Sequence, residues 1–293
     1  MYVTWPDTCL LLFGKLDLKT HKKGNRIMKR IIFFVILMFI AAGMAQAQTG
    51  EKKKRPRPNE YGRVVINNYS KNAQMAPVAF DHWFHRSQFT CRVCHVDLAF
   101  AMKAGATGIR AEDNAKGYYC GTCHNGKKIF EDRKVFAACS KDFSLKDVQR
   151  CERCHSMGKE IKKEHDFSEF SSRMPKERFG NGINWEKAEK MGLIKPVDFL
   201  DGISIKRPGL KIQKDFDLDP KVEGMPKIVF SHKKHTVWNG CEVCHPEIFA
   251  GIKKGTTKYG MIDIMQGKYC GVCHGFVAFP LIDCQRCHTE PVE

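Results

Sequence analysis

Twelve of the fourteen cysteines fall into one pattern, Cys-x-x-Cys-His, repeated six times. The copies are Cys91/Cys94/His95, Cys120/Cys123/His124, Cys151/Cys154/His155, Cys241/Cys244/His245, Cys270/Cys273/His274 and Cys284/Cys287/His288. Two thiols at i and i+3 reach the two vinyl groups of one porphyrin, and the next residue sets an imidazole under the iron. The spacing therefore predicts six covalently bound c-type haems, with His95, His124, His155, His245, His274 and His288 as proximal ligands. Structural zinc also uses paired Cys-x-x-Cys units, but it does not require a histidine directly after the second cysteine in every copy. Disulfide scaffolds are rich in Cys without matching His, whereas here 14 Cys stand beside 12 His. A thioredoxin-like redox motif would need a strand–helix context that none of the copies has.

The elements that must position these groups begin after a leader. Residues 31–42 read IIFFVILMFIAA, preceded by Lys29 and Arg30 and followed by Ala45-Gln46-Ala47. This is a basic region, a short apolar core and a small-residue cleavage site, the pattern of a secretory signal peptide. The apolar run is shorter than the roughly 20 residues a membrane span requires. Signal peptides start close to their basic residues, so Met28 is read as the start, residues 1–27 as a misassigned upstream extension and 28–47 as the signal peptide. The mature chain then runs from Gln48 to Glu293, and residues 48–75 open it as a basic N-terminal tether.

Shifted by 150 positions, residues 78–125 match 228–275 without a gap, with 17 identities in 48 positions. Phe80, His82, His85, Lys103, Gly105, Thr107, Asp113, Gly117, Tyr119 and Gly121 recur along with the attachment motifs. Two homologous trihaem modules follow from this, 76–158 and 226–293, joined by a connecting segment, 159–225. The third motif starts 31 residues after the second in the first module but 14 after it in the second, so the first carries an insertion that includes Cys139. The connecting segment contains a short helical stretch around Trp185–Met191, ended by Gly192, and prolines that stop anything long. Packing over a haem face is its expected role. The modules show neither sustained strand alternation nor a long amphipathic helix. The expected fold is mostly irregular with short α-helices, its cores dominated by haem much as metals or disulfides staple small domains.

Each module opens with His-x-x-His shortly before its first motif, in FDHWFHRSQFTC and FSHKKHTVWNGC. This arrangement resembles the c7-type trihaem cytochromes of the cytochrome c3/c7 superfamily, over residues 76–155 and 226–288. The resemblance implies that the first paired histidine is the distal ligand of the first haem and the second serves the third. His82 would then pair with His95, His85 with His155, His232 with His245 and His235 with His288. The middle haems depart from the family pattern, because no histidine precedes Cys120 or Cys270 in AEDNAKGYYC and MIDIMQGKYC. His165 is the spare candidate for the haem on His124, with Met102 and Cys139 weaker. Met261, with Met265 next, is the candidate for the haem on His274, since some relatives use His/Met coordination there. Met ligation raises a haem's potential relative to two histidines.

No Ser/His/Asp set, Cys nucleophile or phosphate loop stands beside the motifs, so an electron carrier is expected rather than an enzyme. The reading is an exported, periplasmic hexahaem cytochrome that passes electrons between an inner-membrane quinol-oxidising donor and downstream cytochromes, as in anaerobic respiration. An outer-membrane or extracellular site is the alternative location. A reductase with one open haem, or a subunit of a haem filament or transmembrane conduit, are the alternative functions. The net charge of +17 first suggests an anionic partner such as nucleic acid. The mature chain, however, holds 42 Lys/Arg against 30 Asp/Glu, a net +12. Six haems bring about twelve propionate negatives and, when ferric, about six core positives, leaving about +6 oxidised and near zero reduced. The basic excess balances the chain's own cofactors, and no nucleic acid is called for.

Overall fold

The structure is a computed structural model that describes residues 30–36, 38, 55–130, 132–139, 148–156, 166–206, 214–220, 222–251, 253 and 255–289. The chain divides into two units after Arg55. In the first, residues 30–36 are helical, within the stretch read as the signal peptide's apolar core. The Ala45-Gln46-Ala47 site, the segment before Met28 and His165 lie outside the described residues. No helix among the described residues is long and apolar enough to cross a membrane.

From Pro56 onward the elements are short and the loops many. Their order is β1 (Arg63–Ile66), β2 (Val78–Asp81), α1 (His82–Gln88), α2 (Ala111–Ala115), β3 (Ile129–Phe130), β4 (Arg133–Lys134), α3 (Val148–Glu152), α4 (Phe167–Ser172), α5 (Trp185–Lys190), β5 (Phe216–Leu218), β6 (Ile228–Phe230), α6 (His232–Asn239), α7 (Met261–Met265) and α8 (Gly271–His274). Helices this short are not stable alone and need tertiary support. The mostly irregular fold expected from the sequence is what the structure has, with three two-stranded antiparallel sheets added.

The 150-residue repeat reappears as geometry. In each copy a two-stranded ladder, β1 with β2 and β5 with β6, leads straight into the helix that carries His-x-x-His. A spacing of three puts both imidazoles on one side of that helix. The sequence shows these ladders poorly because each strand has only three or four residues. β1 lies within 48–75, the stretch read as a basic tether. Residues 63–66 pair with β2, Arg63 clamps Asp81 at 2.6 Å, and the Tyr61 hydroxyl donates to the Ala278 carbonyl at 2.6 Å. The β-branched run Arg63-Val64-Val65-Ile66 suits an extended pairing better than a solvated linker.

Further along, α2 and α7 occupy matching positions, and each is followed by a tyrosine in left-handed backbone, Tyr119 at φ 48° and Tyr269 at φ 50°. Such a conformation costs a bulky residue about 1–3 kcal/mol, so its recurrence directly before Cys120 and Cys270 marks a constraint on the second motif. Two residues on, Gly121 and Gly271 leave no room for a side chain. A β-carbon would collide with the Asn114 carbonyl in one copy and the Ile264 carbonyl in the other.

The buried cluster of apolar side chains lies in the connecting segment. Met174, Ile183, Ala188 and Ile194 pack together, with Phe167, Phe170, Trp185 and Trp238 against them. Side-chain caps start the two helices here, Asp166 accepting from the Glu169 amide and Asn184 from the Lys187 amide. The segment grips both repeats. Phe89 bridges Val197, the Thr90 hydroxyl donates to Asp198 at 2.8 Å, and the Ser204 hydroxyl donates to Asp97 at 2.6 Å. On the other side Arg286 pairs with Glu177 at 2.7 Å and Lys234 with Glu186 at 2.9 Å.

Candidate cofactor cavity

A connected cavity of about 1820 Å3 runs through this unit. Ordinary small-molecule sites reach roughly 1,000 Å3, so this space exceeds what one small ligand needs. Its walls include Cys91, Cys94, Cys120, Cys123 and Cys154 of the first repeat and Cys244, Cys270, Cys273, Cys284 and Cys287 of the second. His82, His85, His95, His124, His235, His274 and His288 line it as well.

The histidines share one anchoring device. Eight of the ten described rings bond a main-chain carbonyl through Nδ1. His82 bonds Gly62 at 2.6 Å, His95 Phe100 at 2.8 Å, His155 Ala76 at 2.6 Å and His232 Lys214 at 3.0 Å. His235 bonds Ser231 at 2.8 Å, His245 Phe249 at 2.7 Å, His274 Phe279 at 3.1 Å and His288 Pro226 at 2.8 Å. A carbonyl only accepts, so Nδ1 carries the proton and Nε2 presents a bare lone pair, the form in which imidazole binds a metal. The buried Nδ1 atoms of His85 and His124 make no such bond; the Asp81 and Phe136 carbonyls that face them stand too loosely. Burial pushes His82 and His274 down to about 4 and His85 to about 3, and it lowers His95, His124 and His235 as well. These six imidazoles are neutral at neutral pH, as ligands must be.

The thiols are also neutral. Burial pushes Cys94, Cys120 and Cys273 up to about 12, and Cys154 and Cys270 up to about 11. A zinc ligand or a nucleophile would need a lowered value instead. None of the thirteen described cysteines is in a disulfide. Among the described residues no three His, Cys, Asp or Glu side chains converge to hold a metal ion directly. Paired neutral thiols and free imidazole nitrogens around an apolar space fit a large planar ligand that brings its own metal.

Ring spacing bears on the axial pairs. The His85 ring centre lies 6.2 Å from that of His124, and the His235 ring centre 6.2 Å from that of His274. With a metal–imidazole bond of about 2.0 Å and the ring centre about 1.2 Å behind the nitrogen, the ring centres of two imidazoles on opposite sides of one metal sit about 6.4 Å apart. The second paired histidine of each repeat thus lies near the histidine of the middle motif; the sequence reading pairs His85 with His155 and His235 with His288. His95 is close enough to His82 to influence it electrostatically. Met261 lines the cavity at the head of α7, and Ala111 heads the matching α2. Met102 also lines the cavity, while Met265 is exposed and outside its wall. Cys139 accepts a long bond from Asn114 at 3.8 Å and neighbours Cys120 and Cys154.

The family described as cytochrome c7 and related cytochrome c matches residues 78–167 and 228–289, just over half of the chain. The chain belongs to this cytochrome c7 family. It is a multihaem c-type cytochrome. No curated protein matches it. Among solved structures it is similar to a "c7-type three-heme cytochrome domain", 35% identical over 28% of this chain and 99% of that one, at a TM-score of 0.24. It is also similar to the C-terminal hexaheme fragment of GSU1996, 26% identical over 80% of this chain and 99% of that one, at a TM-score of 0.24. The dodecaheme cytochrome c GSU1996 itself is 23% identical over 80% of this chain and 75% of that one, at a TM-score of 0.23.

Sequence reasoning missed the carbonyls that seat the imidazoles, those of Gly62, Ala76, Lys214 and Pro226. One signal for them was available. Ala76 and Pro226 are 150 apart, as are the strands β2 and β6 that they precede.

Proposed function

We propose that this cytochrome carries six haems in two tandem trihaem modules, 76–158 and 226–293, and moves electrons along them. The single observation that carries the reading is the continuous cavity, into which motifs of both repeats open. Thiols close enough to influence one another trace a path through it: Cys154 acts on Cys120, Cys120 and Cys123 on Cys94, Cys91 on Cys244 and Cys273, and Cys287 on Cys270. The haem order that follows is third, second and first of module one, then first and second, then third of module two.

The ring distances favour His85 with His124 and His235 with His274 as axial pairs, beside His82 with His95 and His232 with His245. The third haems, on His155 and His288, are then the ones short of a ligand. His165 is the candidate for the first and Met261 for the second. Eight axial imidazoles would each be held by an Nδ1 carbonyl bond, and each haem by its two thioethers. The haem supplies the one-electron chemistry; the chain spaces the haems, excludes water and sets their charge environment.

The apolar leader with its basic flank supports export to the periplasm, where an inner-membrane donor and a downstream acceptor cytochrome would be reached. Haem counting by pyridine haemochrome, with electron paramagnetic resonance through a redox titration, tests the reading. The expected result is six haems per chain, one with a His/Met signature that disappears in Met261→Ala. Fewer than six haems, or six identical low-potential haems, would contradict it. Carbon monoxide binding to the native protein would favour the open-site reductase instead.

A further inference from the structure

Arg86 is a half-buried cation on the cavity wall with no carboxylate partner among the described residues. It sits on α1 next to His85, and its guanidinium lies 4.4 Å from the Trp185 ring centre and 5.6 Å from that of Trp238. One end donates from Nη1 to the Val277 carbonyl at 2.8 Å. Its Nε is sealed from solvent and has no hydrogen-bond partner among the described residues. The titratable groups around it are Cys91, Tyr61, Cys273, His82 and His274, and no carboxylate among the described residues lies within ion-pair distance. A charge buried without a partner is costly, so buried charges are paired. The side chain also forms part of the cavity wall.

Three regions meet at this side chain. α1 belongs to the first repeat, Trp185 to the connecting segment, and Trp238 and Val277 to the second repeat. The Val277 amide in turn donates to the Cys273 carbonyl, which ties the guanidinium to the second attachment motif of that repeat. Position 236, the counterpart in the second repeat, is Thr236, so the device has no copy there. It is a property of the junction rather than of the module.

We propose that Arg86 pairs with a haem propionate where the two repeats meet, and that its charge raises the reduction potential of the haems at that crossing. The proposal rests on the haem reading above. A planar fork matches a carboxylate with two parallel hydrogen bonds, and a fixed positive charge favours the reduced, less positive haem. The Trp185 and Trp238 rings hold the fork in place by cation–π contact.

The test is a redox titration of the haem-loaded full chain, resolved haem by haem, for wild type, Arg86→Gln and Arg86→Lys. In Arg86→Gln one or two haems are expected to become harder to reduce by at least tenfold in the one-electron equilibrium, about 59 mV. Arg86→Lys keeps the charge and is expected to recover most of that shift. Unchanged potentials in a fully loaded Arg86→Gln, or an equal shift in both variants, would overturn the proposal. If Arg86→Gln does not mature, a structure of the wild-type holoprotein decides. A propionate oxygen within hydrogen-bond distance of the guanidinium supports the pairing, and all propionates turned away overturn it. Failure of the underlying haem reading is separately visible, as wild-type protein without covalent haem.

Discussion

The two repeats and the segment between them reach a folded state by different means. In the segment, Met174, Ile183, Ala188 and Ile194 close on one another as an ordinary side-chain core. In the repeats, buried apolar residues are few, Trp83, Val93, Val243 and Ile264 among them, and most side chains that would form a core face the cavity instead. A region can be short of hydrophobic contacts and still be specified, provided a cofactor brings the missing surface. The segment then serves as a residue-built block fixed to both repeats, through Phe89, Thr90 and Asp97 on one side and Lys234 and Arg286 on the other.

Preventing haem attachment should have the largest effect. Chain exported into a host without maturation machinery should lose its cooperative fold, with proteolysis running through both repeats. A compact, protease-resistant apo-chain would erase the contrast. Next in size is Gly271→Ala, which drives a β-carbon into the Ile264 carbonyl. It should cost more than about 3 kcal/mol and lower the yield of matured protein, because the clash is with backbone that has nowhere to move. Gly121→Ala should behave alike, and a difference between the two would show that the repeats tolerate strain unequally. Ile183→Ala should cost about 2–4 kcal/mol in thermal or denaturant unfolding while haem spectra and potentials stay put, since it opens a hole in the residue-built core. A change in haem spectrum there would mean the segment supports the haems more directly than its packing indicates. The smallest effect is Asn184→Ala, which removes the cap of α5 and should cost about 1 kcal/mol.

How far each region was legible follows from the same contrast. The attachment residues are fixed by covalent chemistry at i, i+3 and i+4, so Cys91 through His288 could be read directly from spacing. His82, His85, His232 and His235 were also visible. A helix offers both imidazoles on one side, and the sequence does not show that the His85 ring lies 6.2 Å from that of His124. The carbonyl partners were hidden because main-chain oxygens carry no residue signature and the strands that aim them are too short for alternation to show. The core of the segment was hidden for a different reason. Its apolar residues are spread over loops and one-turn helices between prolines, so no single period links Met174 to Ile194.

The carbonyl bonds of the histidines carry one more consequence. A ring tied to the main chain at Nδ1 is not free to swing, tilt or exchange its proton when the charge beside it changes by one unit. Little of the surrounding structure then has to rearrange for an electron to arrive or leave. What looks like a detail of side-chain anchoring, from Gly62 behind His82 to Pro226 behind His288, would keep eight of the ten described rings still as charge moves past them.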